Sequence, residues 1–534
     1  MKKVWAALLL GSAALVSAQA DELYKYRLTL TDKGLDASTP LPDAPLSERA
    51  LERRARQGIA IDSTDYPIAE AYLSELREAG YRPVCTSRWL QTVVVATDDS
   101  LAASKLEALP FVGKAELVWR NTGVAPAFFV SSDSVDPTKK KATAAEVLAQ
   151  YYALAVDKLH AEGYRGEGMQ IAVIDAGFLN VDKISYLAAR LNGTRDFVNP
   201  DEDIIFSAHN HGTNTYSVMG YAVTDKFAGT APKASYWLLR SEDSSTEFAV
   251  EEDYWVAAAE YADSLGVDII SSSLGYFEFD DPAMSHTHAQ LDGRSTHISR
   301  GASAAASKGM LVVVSAGNER ANSWQRICVP ADSPDVLAVG ACTPQLEPAS
   351  FTGVGSVAAG VVKPDVAAIG QPAYVISPHE NIKKEQGTSF ACPAIAGAAA
   401  CLWQALPHLS AREVADLIRA NGHQVAAPDS LLGYGVPDFH EAWRTASPVA
   451  EVHAEVPSLV CVDSTASRWR VAGIEAMPKG AVLNIYTTDG VRIKRVKVPA
   501  DGSFSLAGLP HGLYITFFRA QKIHFSQRIY ITAP

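Results

Sequence analysis

Short, wholly apolar segments alternate with helical segments through the middle of the chain. Because the apolar segments show no alternation of apolar and polar residues, they are typical of strands in a parallel sheet covered by helices on both faces. Helices predicted at 248–264 and 299–308 would cross over between neighbouring strands. The pattern predicts a doubly wound, mostly parallel α/β domain over residues 148–447, with strands at 170–174, 235–239, 267–271, 311–314 and 336–339.

A smaller unit with a different pattern precedes this domain. Residues 21–124 combine strands and helices as a small α+β domain does, and residues 125–147 contain prolines, serines and the run Lys139-Lys140-Lys141. That composition predicts an exposed, protease-accessible linker. Within the unit we expect strands at 24–30, 92–96 and 115–119 and helices at 46–57, 69–79 and 101–109.

A second small unit follows the α/β domain. Residues 448–534 show alternating strands and turn signals such as Asp489-Gly490 and Ala500-Asp501-Gly502, without a long helical period. This pattern predicts a small β-sandwich.

The first twenty residues have the features of a secretory signal peptide. Lys2 and Lys3 are followed by an apolar stretch over residues 4–16 and by the small-residue cleavage site Ala18-Gln19-Ala20. A membrane anchor needs about 20 apolar residues, and neither this stretch nor a later one is long enough. We therefore expect export, cleavage after residue 20 and no membrane-spanning segment.

Composition limits the partners of the protein. Hydrophobic residues make up 48% and charged residues 20%, as in an ordinary globular chain. The 60 acidic residues outnumber the 47 basic ones, and the formal net charge is −13. Nucleic acid and anionic membrane surfaces are therefore poor candidate partners.

Six cysteines are spread along the chain without the C-x-x-C spacing of a zinc site. Cys392 and Cys401 lie on one predicted helix, where their Cα atoms would be about 13 Å apart. A disulfide needs less than about 7 Å. Cys328 and Cys342 could pair across a turn-rich segment, but we interpret all six cysteines as small buried hydrophobes.

Polar motifs follow three of the predicted parallel strands, at the sheet edge where α/β proteins bind ligands. Two further motifs begin helical segments. Together they supply an acid, a base, a nucleophile and an amide. The five motifs are Asp175-Ala176-Gly177, His209-Asn210-His211-Gly212-Thr213, Ser272-Ser273-Leu274-Gly275, Ser315-Ala316-Gly317-Asn318 and Gly387-Thr388-Ser389.

In these motifs, and in residues 363–368, the chain resembles the subtilisin-like serine peptidases. The order Asp175, His211, Ser389 is that of this family and differs from the order in chymotrypsin-like and α/β-hydrolase enzymes. Ser389 fits the nucleophile, His211 the base that takes its proton, and Asp175 the carboxylate that holds the imidazole. Taken singly, Asp175 and Ser389 could be helix caps, but their joint order favours catalysis.

The resemblance also implies the rest of the site. The backbone N–H of Ser389 and the side chain of Asn318 would stabilise the oxyanion, although Asn318 alone could be a turn residue. The walls of the primary specificity pocket, and the edge that pairs with substrate, would be Ser273, Leu274 and Gly275 together with Ser315, Ala316 and Gly317.

We expect no required metal or cofactor. His209 with His211, or His286 with His288, could suggest metal ligands, but no H-E-x-x-H motif is present and surface histidines are the more common case. Subtilisin-like enzymes often carry structural calcium, whose ligands have no spacing signature here.

The flanking units resemble known accessory domains. The N-terminal unit resembles the inhibitory propeptide of such peptidases. Residues 483–490 and 508–515 resemble the C-terminal sorting domain of proteins exported by the type IX secretion system of Gram-negative bacteria. A binding module, for example for carbohydrate, is the alternative for the C-terminal unit.

These features together predict a secreted serine endopeptidase, made as a self-processed zymogen, that hydrolyses protein or peptide substrates. Its other partners would be its own propeptide and the secretion machinery, and its location the surface or exterior of a Gram-negative bacterium, reached through the periplasm. An esterase is disfavoured because residues 387–391 lack the second Gly of G-x-S-x-G. A catalytically silent binding protein of the same fold is the alternative, although no triad residue is lost.

Overall fold

The structure is a computed structural model of the 534-residue chain. The residues it describes are 23–35, 44–123, 142–202, 204–223, 226–356, 361–447, 457–463, 467–474, 477–488, 490–521 and 523–531. The predicted signal peptide, the lysine run at 139–141 and residues 125–141 of the predicted linker lie outside these ranges.

Four antiparallel strands and three helices form the N-terminal unit. Tyr26, Leu28 and Leu30 of its first strand point into a small core of their own. The strand at 82–87 was not predicted from the sequence because Pro83 interrupts it, and it lies at the sheet edge, where proline is tolerated. The elements are β1 (Tyr24–Leu30), α1 (Glu48–Arg56), α2 (Glu70–Glu78), β2 (Arg82–Ser87), β3 (Thr92–Thr97), α3 (Ala102–Leu106) and β4 (Val112–Arg120), and the sheet order is β2-β3-β1-β4.

The middle of the chain forms a parallel sheet covered by helices on both faces, as the sequence predicts. In chain order its elements are α4 (Ala144–Tyr152), α5 (Val156–Ala161), β5 (Gln170–Asp175), α6 (Ser185–Ala188), β6 (Leu191–Asp196), α7 (His211–Gly220), β7 (Ala222–Val223), β8 (Phe227–Ala228), β9 (Ser235–Arg240), α8 (Val250–Leu265), β10 (Ile269–Ser272), α9 (His297–Ser307), β11 (Leu311–Ser315), β12 (Leu337–Cys342), β13 (Val366–Ile369), β14 (Ala373–Ile376), β15 (Ile382–Glu385), α10 (Thr388–Ala405), α11 (Ala411–Ala420) and α12 (Phe439–Ala446).

Seven of these strands form the central sheet, in the order β13-β12-β11-β10-β5-β9-β6, with every neighbouring pair parallel. The five predicted strands are confirmed as β5, β9, β10, β11 and β12. The two outermost strands, β6 and β13, were not predicted; β6 is largely polar and gives no apolar signal. Helix α4 begins at Ala144, inside the predicted linker.

The register of the central strands sets the place of the candidate site. Ser272 of β10 pairs with Ile174 of β5 on one side and with Val314 of β11 on the other. The next residue of each strand, or of its continuation, therefore lies at the same level of the sheet edge. This places Asp175, Ser273 and Ser315 side by side.

Helix α10 runs through the core and carries Ser389 at its start. Its residues from Thr388 to Trp403 are all buried, as expected for a helix that is apolar on every face. Small residues let other segments approach closely, and a Cβ at Gly397 would lie 2.1 Å from Oγ1 of Thr230. The helix packs on α7 and on β10, β11 and β12.

The C-terminal unit consists of two antiparallel sheets around a separate core. That core includes Leu483, Ile485 and Phe518. The unit also touches the α/β domain, where Arg528 donates to Asp438 at 2.7 Å and Leu513 joins the core. Its strands are β16 (Ser458–Asp463), β17 (Arg468–Ala472), β18 (Val482–Thr487), β19 (Arg492–Lys497), β20 (Ser503–Ser505), β21 (Gly512–Ala520) and β22 (Ile523–Ile531), in sheets β16-β17-β20 and β19-β18-β21-β22.

Buried ion pairs join the N-terminal unit to helix α8. Arg53 and Arg54 donate to the two oxygens of Asp263, at 2.5 Å and 2.6 Å, and all three side chains are almost completely buried. Arg27 makes a two-point contact with Asp253 at 2.7 Å and 2.5 Å. Because a buried charge without a partner is costly, these contacts fix how the two units sit together.

The burial of the cysteines agrees only in part with the interpretation from the sequence. All six are free, four of them are buried, Cys85 is half-buried and Cys461 is exposed. The interpretation as buried hydrophobes therefore fails for Cys461, which lies on the three-stranded sheet of the C-terminal unit. In the part of the chain that the structure describes, we find no helix long and apolar enough to cross a membrane.

Candidate active site

Two glycines bring the predicted acid and base together. Gly177, two residues after Asp175, has φ +152°, and a Cβ there would lie 2.5 Å from the backbone nitrogen of His209. A Cβ at Gly212 would lie 2.5 Å from the carbonyl oxygen of Gly177, which accepts the Gly212 N–H at 3.0 Å. Side chains at these positions would push the end of β5 away from the start of α7.

The Asp175 carboxylate is fully buried and held by three donors. Its Oδ1 accepts from Nδ1 of His211 at 2.7 Å and from the backbone N–H of Ala176 at 2.8 Å. Its Oδ2 accepts from the hydroxyl of Thr215 at 3.1 Å. The hydrogen bond to Nδ1 holds His211 in the tautomer whose Nε2 can accept a proton.

His211 lies at the start of α7 with about a quarter of its side chain exposed, 26%. Burial by itself lowers the pKa of His211, but the charge of Asp175 and its hydrogen bond outweigh this effect. With smaller contributions from the charges of Glu242 and Glu385, the pKa is raised to about 9. Burial and the charge of Asp175 in turn raise the pKa of Glu242 to about 7.

Ser389 is the second residue of α10 and is mostly buried. Its hydroxyl donates to the carbonyl oxygen of Ser273 at 3.4 Å, and its carbonyl accepts from the hydroxyl of Ser273 at 2.8 Å. The adjacent Phe390 ring lies 6.0 Å from the ring of His211. The start of α10 therefore lies close to His211, and the Ser389 hydroxyl is directed to Ser273.

The amide of Asn318 is oriented by Thr388. Oδ1 of Asn318 accepts from the Thr388 backbone N–H at 2.9 Å and from its hydroxyl at 3.0 Å. Because the amide is planar, its Nδ2 group points away from Thr388 and is available to donate. Asn318 is exposed and Thr388 precedes Ser389, so this donor lies near the serine at the mouth of the site.

The six predicted pocket residues lie on two neighbouring segments. Ser273, Leu274 and Gly275 continue β10, while Ser315 ends β11 and is followed by Ala316 and Gly317. Both segments border α10: Ser273 through Ser389, and Gly317 through its N–H, which donates to the Thr388 hydroxyl at 3.2 Å.

The other histidines of the sequence motifs have separate structural partners. The ring of His209 accepts the backbone N–H of His211 at 3.2 Å. His286 contacts Glu252 at 2.7 Å, whereas His288 contacts the carbonyl oxygen of Trp324 at 2.9 Å. Among the described residues, no three His, Cys, Asp or Glu side chains are grouped to hold a metal ion.

Sequence reasoning missed three residues of the site. Thr215 lies one helical turn after His211, and this spacing could have identified it. Thr388 was assigned to the motif without a role, although it orients Asn318. Cys328 lies between the two pocket segments. Its position there depends on the path of a loop, which the sequence does not reveal.

Comparison with known proteins gives two family matches. The Subtilase family matches residues 166–435, and the Peptidase S8 propeptide domain of Bacteroidota matches residues 25–131. Both matches agree with the order of the units along the chain.

Individual relatives match the middle of the chain. Subtilisin DY of Bacillus licheniformis is 30% identical over 266 residues, 49% of this chain and 86% of that protein. Subtilisin NAT of Bacillus subtilis subsp. natto is 29% identical over 265 residues, 49% of this chain and 62% of that protein. The crystal structure of MycP1 from Mycobacterium smegmatis has 22% identity and a TM-score of 0.46, covering 60% of this chain and 92% of that one.

Proposed function

Since the chain is a member of the subtilase family of serine peptidases and has a propeptide domain, we propose that its peptide-bond hydrolysis uses Asp175, His211 and Ser389 as catalytic triad. The observation that carries this proposal is the 2.7 Å hydrogen bond from His211 to the buried Asp175, beside Ser389 at the start of α10. Separate roles as helix caps or turn residues would not require an acid, a base and a nucleophile in this order, whereas a catalytic triad does.

The proposed reaction is an acyl transfer in two steps. His211 Nε2 takes the proton of the Ser389 hydroxyl while Oγ attacks the substrate carbonyl carbon. The proton then goes to the leaving amine as the peptide C–N bond breaks, which leaves an acyl ester on Ser389. Water, activated by the same imidazole, hydrolyses the ester and restores the enzyme.

Two donors would stabilise the oxyanion of each tetrahedral intermediate. The Ser389 backbone N–H lies in the first turn of α10, where helix donors have no intrahelical partner. The Nδ2 group of Asn318 is the second donor, since its Oδ1 is engaged by Thr388. These donors need no metal or cofactor.

A fluorophosphonate probe tests the proposal directly. We expect the purified, processed protein to be labelled at Ser389 and to cleave casein, and we expect Ser389→Ala to do neither. His211→Ala should be about as inactive, because the two residues act as a unit. A folded protein that takes up no probe would instead be a silent binding protein. Casein cleavage by purified Ser389→Ala would refute the triad.

We further propose that residues 21–124 are an inhibitory propeptide, removed by the enzyme itself within the linker at 125–147, to leave a catalytic domain at 148–447. The matched propeptide family supports the first part. The buried pairs of Arg53 and Arg54 with Asp263 support it too, because they hold the unit on the catalytic domain. Protein substrates and this propeptide would then compete for the enzyme.

The proposed role of residues 448–534 is export by the type IX secretion system, after a signal peptide at 1–20 directs the chain to the periplasm of a Gram-negative bacterium. The two sheets around Leu483 and Phe518 support an independent domain. All proposed catalytic residues precede it. A binding module remains the competing function of this domain.

A further inference from the structure

A thiol lies between the two predicted walls of the specificity pocket. A Cβ at Gly317 would lie 2.6 Å from Sγ of Cys328, and a Cβ at Gly275 would lie 2.8 Å from Cβ of Cys328 and 3.8 Å from its Sγ. All three distances are at or below van der Waals contact. The Cys328 side chain therefore fills the gap between the two segments at the depth of these glycines.

Backbone hydrogen bonds fix Cys328 in this position. Its N–H donates to the carbonyl oxygen of Ala316 at 3.0 Å, next to one wall. The following residue, Val329, exchanges two hydrogen bonds with Tyr276, next to the other wall, at 2.9 Å and 3.1 Å. Residues 328 and 329 thus bridge the continuations of β10 and β11 and close the space between them.

The preceding loop holds this bridge in place. The indole N–H of Trp324 donates to the carbonyl oxygen of Ile327 at 2.9 Å, and its ring packs on Phe277 and His288 at 5.2 Å and 4.4 Å. A side chain supported in this way cannot move aside cheaply to admit a larger group.

On the basis of the proposed function, we propose that Cys328 is the floor of the primary specificity pocket and restricts it to short substrate side chains. Cys328 is 1% exposed, and its thiol offers no charge for a basic or acidic substrate group. Burial raises the pKa of this thiol well above its usual value, which keeps it neutral. The pocket floor therefore selects by the length of the substrate side chain.

Cys328 could also be a passive filler of the core, like the other buried cysteines. Cys401, for example, is fully buried on α10, where its thiol contacts the carbonyl oxygen of Thr230 at 3.1 Å. A passive filler would affect stability without changing the preference for substrate side chains. The two roles therefore differ in what substitution does to substrate selection.

The test compares kcat/KM of the processed enzyme for peptides that differ only in the residue before the cleaved bond, with alanine, valine, leucine, phenylalanine and lysine in that position. We expect the wild type to prefer alanine or valine. Cys328→Gly should raise the ratio of kcat/KM for leucine or phenylalanine over alanine by roughly tenfold to a hundredfold, as expected when a pocket gains about two atoms of depth. Cys328→Met should lower the ratio for valine over alanine. The control, Cys401→Ala, should leave every ratio unchanged.

A changed kcat/KM ratio in either Cys328→Gly or Cys328→Met supports Cys328 as the pocket floor. The test therefore remains decisive if one of the two variants does not fold. Unchanged ratios in both active variants, or a wild-type preference for phenylalanine or lysine, would overturn it. If the proposed peptidase function itself were wrong, the wild type and Cys401→Ala would cleave none of the peptides. This result is distinct from cleavage with unchanged ratios.

Discussion

The hydroxyl of Thr215 lies 3.1 Å from Oδ2 of Asp175, the carboxylate oxygen that His211 does not use. Thr215 and His211 are one turn apart on α7, so a single helix supplies both the imidazole and the group that steadies its carboxylate. The same hydroxyl also lies 3.1 Å from the carbonyl oxygen of Gly212. Thr215 is therefore a positioning residue for Asp175.

We expect Thr215→Val to lower kcat by roughly tenfold, since a hydrogen bond to a charged group contributes about 1.5 kcal/mol or more. The valine has nearly the same shape, so KM for a peptide substrate should change little. Thr215→Ser, which keeps the hydroxyl, should recover most of the activity. An equal loss in both variants would mean that packing, and not the hydrogen bond, matters.

If Asn318 has the proposed oxyanion role, Asn318→Ala should lower kcat by about a hundredfold or more with little change in KM, because the lost donor acts only on the developing charge. That magnitude is the one known for subtilisin, a relative of this chain. Thr388→Val, which removes the hydroxyl donor to Oδ1, should have a smaller effect of the same kind. A variant altered chiefly in KM would place Asn318 in substrate binding instead.

The pH profile should reflect the raised pKa of His211. The imidazole must be neutral to act as base, so kcat/KM should rise with pH through the region near 9, well above the usual 6.5 of histidine. Glu242, whose pKa is about 7, is ionised in that region and helps to raise the pKa of His211. Glu242→Gln should therefore move the rising limb to lower pH, whereas Glu242→Asp should not. A limb that stays in place in Glu242→Gln would exclude this electrostatic coupling.

Self-processing predicts that Ser389→Ala accumulates as an unprocessed precursor, because no other catalytic group can cleave the linker. Expression in a host without other secreted peptidases, followed by N-terminal sequencing, measures this. Active enzyme added separately should process the mutant within residues 125–147. Complete maturation of the mutant alone would assign the cleavage to another peptidase.

Deletion of residues 448–534 should leave an active peptidase and block release from the native host. We expect a loss of about 2 kcal/mol in stability, because Leu513 no longer covers the core. Arg528→Met, which removes only the pair with Asp438, should have a smaller effect and leave export unchanged. Normal release of the truncated protein would point to a binding module.

Strand patterns predicted five of the seven strands of the central sheet, and motif order is the basis of the proposed triad. Strands β5 and β11 are recognisable because their continuous apolar runs, 171–174 and 311–314, are covered on both faces of the sheet. The edge strand β6, Leu191–Asp196, contains Asn192, Thr194 and Arg195 and has no such signal. The sequence pattern therefore misses a polar edge strand, and it also misses the short strand β13 although all four of its residues are buried.

The depth of the specificity pocket was beyond sequence reasoning. It depends on the loop before Val329, where a β-bridge to Tyr276 and the packing of Trp324 place Cys328 between Gly317 and the more distant Gly275. No local pattern encodes such a contact. The same holds for Asn318, whose amide orientation depends on Thr388, 70 residues later.

The buried interface between the N-terminal unit and α8 limits how freely the N-terminal unit and the α/β domain can be exchanged between proteins. Arg53 and Arg54 both pair with Asp263 in the interior, and Arg88 reaches the same carboxylate at 3.0 Å. With a foreign propeptide that lacks these guanidinium groups, the Asp263 carboxylate would be buried without a charged partner, at a cost of several kcal/mol. A chimaera would therefore need both sides of this interface changed together.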